Sequence, residues 1–164
     1  FVELEQHQPY DGGVLELQIN ETSLNVLNAL GIEFGASHIE LLITSKNEIY
    51  IIEVGGRMGG DFIGSHLVEL STGYDFLKGV IDVALGSFSK PNLRAQKKYS
   101  GVYFLSCETL WVAKMINSHK SSAVAFQKGK YKTELKCSGD RFGHFIYQTN
   151  EIEEVKKIKA NCLK

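Results

Sequence analysis

The sequence has no pair of cysteines at CxxC spacing, and its three cysteines lie far apart, at Cys107, Cys137 and Cys162. An odd number of widely spaced cysteines argues against a disulfide framework and favours a reducing compartment. The sequence also lacks a secretory signal and an apolar run long enough to span a bilayer. We therefore expect a cytoplasmic protein that has no membrane partner.

An excess of charge of one sign is also missing, since 18 basic residues face 19 acidic residues along the chain. This balance argues against nucleic acid as a partner. With 43% hydrophobic residues, the 164 residues are enough for one ordinary domain or two small ones with a real core. The chain begins with FVELEQ, a strand already in progress without a preceding Met. This start predicts the C-terminal piece of a longer protein, or a protein whose N-terminal part was removed or lost.

Residue periodicity and turn signals predict an α+β architecture. The predicted strands cover residues 1–5, 14–19, 37–44, 48–54, 101–105, 123–127, 131–136 and 143–148. The predicted helices cover residues 20–31, 64–73, 74–86, 108–117 and 150–162. The polar segment 87–98 contains Pro91 and predicts a linker, so we expect one domain over 1–90 and a small β-rich α+β subdomain over 91–164.

Two acidic residues interrupt the apolar strands on either side of Lys46 and Asn47. If these two residues form the centre of a hairpin turn, Glu40 lies directly opposite Glu53. Side chains in such positions have Cβ atoms about 5 Å apart, where two like charges destabilise the pair. Some compensating group is therefore expected, although a loop longer by one residue would remove the direct opposition.

The same register separates two faces of the hairpin. It pairs Tyr50 with Ile43 and Ile52 with Leu41, which places all four side chains in an apolar layer. His38 shares the opposite face with the two acids, where it could contact a ligand. A plain hydrogen-bonded histidine is the alternative, because no second histidine at metal-ligand spacing accompanies it.

A divalent cation is the simplest compensation for two opposed carboxylates. Mg²⁺ prefers hard oxygen ligands and is usually held by one or two carboxylates together with substrate phosphates. The pair Glu40 and Glu53 therefore indicates a nucleotide site with bound metal. The alternatives are a solvated strand face on which the acids have salt-bridge partners, or a pair in which one carboxylate is protonated.

The sequence GGRMGG, residues 55–60, follows the second strand. Its glycines allow the backbone to approach a ligand closely, and Arg57 offers a planar pair of donors suited to phosphate or carboxylate. The loop matches neither a Walker sequence nor a dinucleotide-binding GxGxxG sequence. The alternative interpretation of Arg57 is a surface arginine in a flexible turn.

Residues 35–86, which begin GASHIELLITSKNEIYIIEVGGRMGGDFIG, resemble the C-terminal half of the ATP-grasp superfamily. The resemblance is to its carboxylate-amine ligases, in the branch like carbamoyl-phosphate synthase and the amino-acid ligases. That family has a Glu on one strand, which matches Glu40. A second Glu begins an E-x-N-x-R run on the next strand, and this run matches Glu53 and Arg57.

The resemblance implies an ATP- and Mg²⁺-dependent ligase that activates a small-molecule carboxylate as an acylphosphate and joins it to an amine. Glu40 and Glu53 would then bind Mg²⁺ or Mn²⁺, and Arg57 would stabilise charge on the transferring phosphoryl group. His38, Gly59 and Gly60 would belong to the ATP and substrate loop. The N-terminal remainder of the same protein would be a partner.

This sequence departs from the family pattern in two ways. Gly55 stands where many members have an Asn that ligates the metal, and the lysines and glycine-rich lid that precede this region in the family are absent from these residues. We therefore expect the isolated chain to be inactive. The alternative function is a non-catalytic ligand-binding or interaction module derived from the ATP-grasp fold. The sequence leaves open whether the protein forms a homo-oligomer.

Overall fold

The computed structural model describes residues 2–10, 12–96, 98–118 and 122–162, and these form two compact units. One, here called the sheet unit, contains the described residues within Phe1–Pro9, His66–Tyr74 and Leu93–Lys164. The other, the hairpin unit, contains those within Tyr10–Ser65 and Asp75–Asn92. Because the segments alternate along the chain, this division differs from a single cut after residue 90. The predicted domain boundary stays a prediction.

The sheet unit is built on a four-stranded antiparallel sheet in the order β1-β4-β6-β5. Its strands are β1 (Glu5–Gln8), β4 (Tyr99–Leu105), β5 (Ala123–Lys128) and β6 (Gly143–Thr149). The strand predicted over residues 1–5 is displaced, since pairing with β4 begins only at Glu5. The other three strands lie where the sequence predicts them, within two residues.

The strand predicted over residues 131–136 is wrong. The structure has exposed irregular chain there, followed by a short 3-10 turn at Ser138–Asp140. A carboxylate oxygen of Asp140 accepts hydrogen bonds from the backbone N–H groups of Lys136 and Cys137, at 3.0 and 3.1 Å. Local bonds of this kind occupy the groups that a strand ladder would need.

The core of the sheet unit lies between the sheet and helix α4 (Val112–Ser118). Its buried side chains are Tyr103, Leu105, Val112, Met115, Phe142, Phe145 and Tyr147. The last helix, α5 (Ile152–Cys162), is joined to the sheet through Glu154, whose carboxylate accepts hydrogen bonds from the hydroxyls of Ser122 and Thr149.

The hairpin unit begins with helix α1 (Val14–Ala29), so the strand predicted over residues 14–19 is wrong. The alternating pattern of VLELQI resembles a strand, but no breaking residue separates it from the helical sequence that follows. One continuous helix can therefore include both stretches. The predicted end of this helix at Gly31 is confirmed. Gly31 has φ 67°, and the N–H of Ile32 donates to the carbonyl of Leu27.

Strands β2 (His38–Ile43) and β3 (Ile49–Gly55) form a separate two-stranded antiparallel sheet in the hairpin unit. A π-helical segment, Ile63–Leu67, then leads into α2 (Val68–Thr72), a helix of the sheet unit that Gly73 ends with φ 78°. Helix α3 (Phe76–Ala84) is capped by Asp75, whose side chain accepts the N–H of Lys78 at 2.8 Å.

No helix within the described residues is long and apolar enough to cross a membrane.

Candidate functional site

The turn of the β2–β3 hairpin is one residue longer than predicted. Thr44 and Glu48 close a three-residue loop, with a bond of 3.0 Å from the N–H of Thr44 to the carbonyl of Glu48. Asn47 lies in the left-handed region at φ 63°, as such loops require. The Thr44 hydroxyl further accepts the N–H groups of Lys46 and Glu48, each at 3.2 Å. The predicted two-residue turn is therefore wrong.

A β-bulge restores the register before the hairpin reaches the two acids. The pairing shifts between Glu40 and Leu41, and Leu41 pairs with Ile51 rather than with Ile52. Ile52 is thus the extra residue, and beyond it Glu40 and Glu53 are direct partners. The predicted opposition of the two acids is confirmed, although the longer loop alone would have abolished it.

The predicted pairs near the turn are wrong for the same reason. Tyr50 pairs with Leu42 rather than with Ile43, and its side chain is exposed. Because a shift by one residue moves each side chain to the other face, the predicted apolar layer holds on β2 but not over the first half of β3.

Groups from the same unit compensate the two opposed acids. Nε2 of His38 lies 3.4 Å from Oε1 of Glu40, and Nη2 of Arg57 lies 3.5 Å from Oε1 of Glu53. The two carboxylates are 46% and 56% exposed, so both contacts stand in water and contribute little to stability. The arrangement matches the salt-bridged alternative, and it also leaves both carboxylates accessible to a hydrated cation.

The glycine loop places Arg57 beside the acid pair. Its guanidinium also donates to the carbonyl of Met58 at 3.1 Å, and its side chain is more than half exposed. Gly59 is buried, and a Cβ built there would lie 2.9 Å from Nδ1 of His38. Gly60 is exposed, with nothing within 4 Å of such a Cβ. The structure thus brings five of the predicted site residues to one end of the hairpin, and Gly60 follows next in the loop.

The chain is strained directly after the loop. Asp61 and Phe62 both adopt positive φ, at 48° and 66°, and the π-helical segment begins at the next residue. Such conformations cost about 1–3 kcal/mol each and gather at functional sites, as π-helical turns do. No signal in the sequence predicts this feature, because a phenylalanine gives no indication of a left-handed backbone.

The donors fit a metal only in part. Two opposed carboxylates with room for water suit Mg²⁺ when substrate phosphates complete its coordination. In the part of the chain that the structure describes, no group of three or more His, Cys, Asp or Glu side chains could hold a metal ion. Gly55 lies opposite His38 and contributes no side-chain oxygen. A metal at this position would therefore need further donors, such as the oxygens of a phosphate ligand.

Comparison with known proteins gives one family and many solved structures. Residues 15–90 match the family described as the carbamoyl-phosphate synthase L chain, ATP binding domain. This segment includes Glu40, Glu53 and the whole glycine loop. No curated protein matches the chain.

Three solved structures illustrate the structural similarity. Phosphoribosylglycinamide synthetase from Anaerococcus prevotii has a TM-score of 0.76 at 18% identity, over 99% of this chain and 44% of that one. L-amino acid ligase from Bacillus licheniformis gives 0.71 at 20% identity, over 98% and 42%. N5-carboxyaminoimidazole synthetase from Staphylococcus aureus, complexed with ADP, gives 0.68 at 17% identity, over 97% and 41%.

The chain spans less than half the length of these three solved structures. Similarity at such identities concerns the fold, and it confirms the predicted α+β class with antiparallel sheets and helices.

Proposed function

We propose that this chain supplies the metal-binding half of a carboxylate-amine ligase. Its resemblance to the ATP-grasp superfamily is confirmed by the family match over residues 15–90 and by its fold. The direct opposition of Glu40 and Glu53 beside Arg57 carries the proposal. The ADP bound by one of the similar structures supports a nucleotide as the source of the phosphates.

In this proposal Glu40 and Glu53 hold Mg²⁺ or Mn²⁺ against the phosphates of ATP. The bound metal would supply Lewis acidity and neutralise phosphate charge. Arg57 is poised to exchange its exposed contact with Glu53 for a phosphoryl oxygen, because its planar donors suit phosphate geometry. Gly59 and Gly60 let the backbone shape the substrate side of the loop.

The reaction joins two small molecules in two transfers. A substrate carboxylate oxygen bonds to the γ-phosphorus as ADP leaves, which gives an acylphosphate. The amine nitrogen then bonds to the acyl carbon as inorganic phosphate leaves. The contact of each acid with a histidine or arginine side chain at rest is compatible with these two transfers, since both carboxylates are about half exposed.

The N-terminal remainder of the same protein is the proposed partner of the hairpin unit. Among the described residues of this unit only Gly59, Gly64 and Gly79 are buried. Large apolar side chains on both helices and on β3 are exposed, among them Leu17, Leu24, Ile52, Ile81 and Leu85. A unit without a buried apolar core lacks the main favourable contribution to folding.

Two further expectations belong to this proposal. The isolated chain is expected to be inactive, because the residues that bind the adenine and the lid would come from the proposed N-terminal remainder. The three widely spaced cysteines support a cytoplasmic location for the whole protein.

Trapping of the acylphosphate tests the function. The complete protein, incubated with ATP, Mg²⁺, hydroxylamine and a panel of amino acids and other small carboxylates, is expected to release ADP and form a hydroxamate with at least one of them. Both products should be quantified, by coupled assay and by mass spectrometry. Release of AMP and pyrophosphate would contradict acylphosphate chemistry.

A specific observation favours a second candidate, a non-catalytic binding module. Gly55 stands where many members of the family that this sequence resembles have an Asn, so it offers no side-chain oxygen to the proposed metal. For such a module, the panel would give no hydroxamate with any carboxylate while a nucleotide still bound.

A further inference from the structure

We infer that His38 is a positioning residue, which holds the Glu40 carboxylate in place. The His38 ring is itself held by close packing against Gly59, and we call this steric contact the lock. His38 and Glu40 lie two positions apart on β2 and so share one face of the strand. Nε2 of His38 is 3.4 Å from Oε1 of Glu40. The inference rests on the proposed function, because it assigns His38 to the support of the metal-binding acid rather than to the ligand.

The histidine ring occupies the space that a side chain at position 59 would need. A Cβ on Gly59 would lie 2.9 Å from Nδ1 and 3.3 Å from Cε1 of His38, and 3.3 Å from Cβ of Ile63. Cβ atoms essentially never approach another atom to less than 3.0 Å. A residue larger than glycine would therefore force the imidazole to move.

Moving the ring would release Glu40. The His38 side chain is only 20% exposed, whereas that of Glu40 is 46% exposed. The imidazole is thus the more closely packed member of the pair, and the carboxylate is the more exposed member. Partners that orient metal-binding side chains typically change metal affinity by about 10- to 100-fold when removed.

A double-mutant cycle in the complete protein tests the lock itself. His38→Ala, Gly59→Ala and the double variant would be compared by melting temperature. Gly59→Ala is expected to lower the melting temperature of the wild-type protein clearly, and by less than about half as much in the His38→Ala background, where the clash is gone. Additive shifts would overturn the lock.

The matched control is Gly60→Ala, which adds the same methyl group to the same loop in open space. Its shift in melting temperature is expected to be the same with and without the His38 side chain. Equal coupling of positions 59 and 60 to His38 would show a general loop effect and would overturn the lock.

Mn²⁺ affinity, measured by electron paramagnetic resonance with ADP present, tests the positioning role. His38→Ala and Gly59→Ala should each weaken Mn²⁺ binding about tenfold. His38→Gln, which keeps an amide donor near the place of Nε2, should restore most of the affinity. His38→Asn, whose shorter amide corresponds to Nδ1, should not.

The outcomes separate this inference from the proposed function. If the wild-type protein binds no Mn²⁺ with ADP, the proposed metal site fails, and the positioning role fails with it. If the wild-type protein binds Mn²⁺ and His38→Ala binds it equally well, only the positioning role is overturned.

Discussion

Replacing Glu53 with Gln in the complete protein is expected to reduce ATP-dependent ligation by about 10²–10³-fold or more, while the fold is retained. Glu53 lies at the centre of the site, opposite Glu40 and 3.5 Å from Arg57. Loss of a metal-binding charge removes several kcal/mol of transition-state stabilisation, and each 1.36 kcal/mol corresponds to about tenfold in rate. Turnover at saturating ATP and Mg²⁺, together with circular dichroism, measures both parts of the expectation.

Glu48→Gln is the matched control on the same hairpin. Glu48 is exposed and receives a hydrogen bond from the Thr44 hydroxyl at 3.2 Å, at the turn rather than at the acid pair. Its replacement removes the same charge from the same hairpin but away from the acid pair, so turnover should stay near the wild-type value. Equal losses for the two variants would mean that hairpin charge, and not a metal ligand, supports the activity.

Replacing Gly101 with Ala is expected to destabilise the sheet unit by about 2–3 kcal/mol, near the upper end for an overpacked core. His7, Gly101 and Tyr147 lie in register across three neighbouring strands. A Cβ on Gly101 would lie 2.6 Å from the carbonyl oxygen of Gln6, from Nδ1 of His7 and from Cε1 of Tyr147. The backbone carbonyl cannot move away without disturbing the pairing of β1 with β4.

The added methyl group would also break a hydrogen bond between two side chains. Nδ1 of His7 and the Tyr147 hydroxyl are 2.7 Å apart, and burial raises the pKa of Tyr147 well above its usual value. A buried hydroxyl that loses its partner costs about 1–3 kcal/mol.

Amide hydrogen exchange of β4 and β6 measures the loss of stability locally, even if the whole protein does not unfold in one step. Gly139→Ala is the control, because its Cβ would meet only the sulfur of Cys137, at 3.6 Å. Its effect is expected to stay within about 0.5 kcal/mol. Unchanged protection in Gly101→Ala would show that the three strands do not pack as closely as described.

Much of the site could be predicted from the sequence because hairpin geometry is local. Apolar runs on either side of a turn indicate the two strands, and their separation places Glu40 opposite Glu53. The predicted opposition of the two acids is correct, but its reason is incomplete. The loop contains one more residue than expected, and the bulge at Ile52 shifts the register back. A bulge has no reliable signature in a run such as Ile49–Ile52, where every side chain is apolar.

Other parts of the fold depend on contacts that sequence patterns do not contain. VLELQI alternates as a strand would, yet it forms the start of α1 because the residues that follow continue the helix. The sequence predicts a strand over 131–136, but the Asp140 carboxylate accepts the backbone N–H of Lys136 at the end of that segment and of Cys137 directly after it. The close contact between His38 and Gly59 arises because the loop turns back onto the strand. The spacing of residues in the sequence does not reveal this contact.

The central claim is that Glu40 and Glu53 together hold a divalent metal with a nucleotide. Its most direct test is Mn²⁺ binding to the complete protein with ATP, measured by electron paramagnetic resonance for the wild type and for the Glu40→Gln/Glu53→Gln double variant. The account predicts that the wild type binds Mn²⁺ with ATP and that the double variant loses this binding while staying folded. Equal binding by both proteins would place the metal elsewhere and contradict the claim.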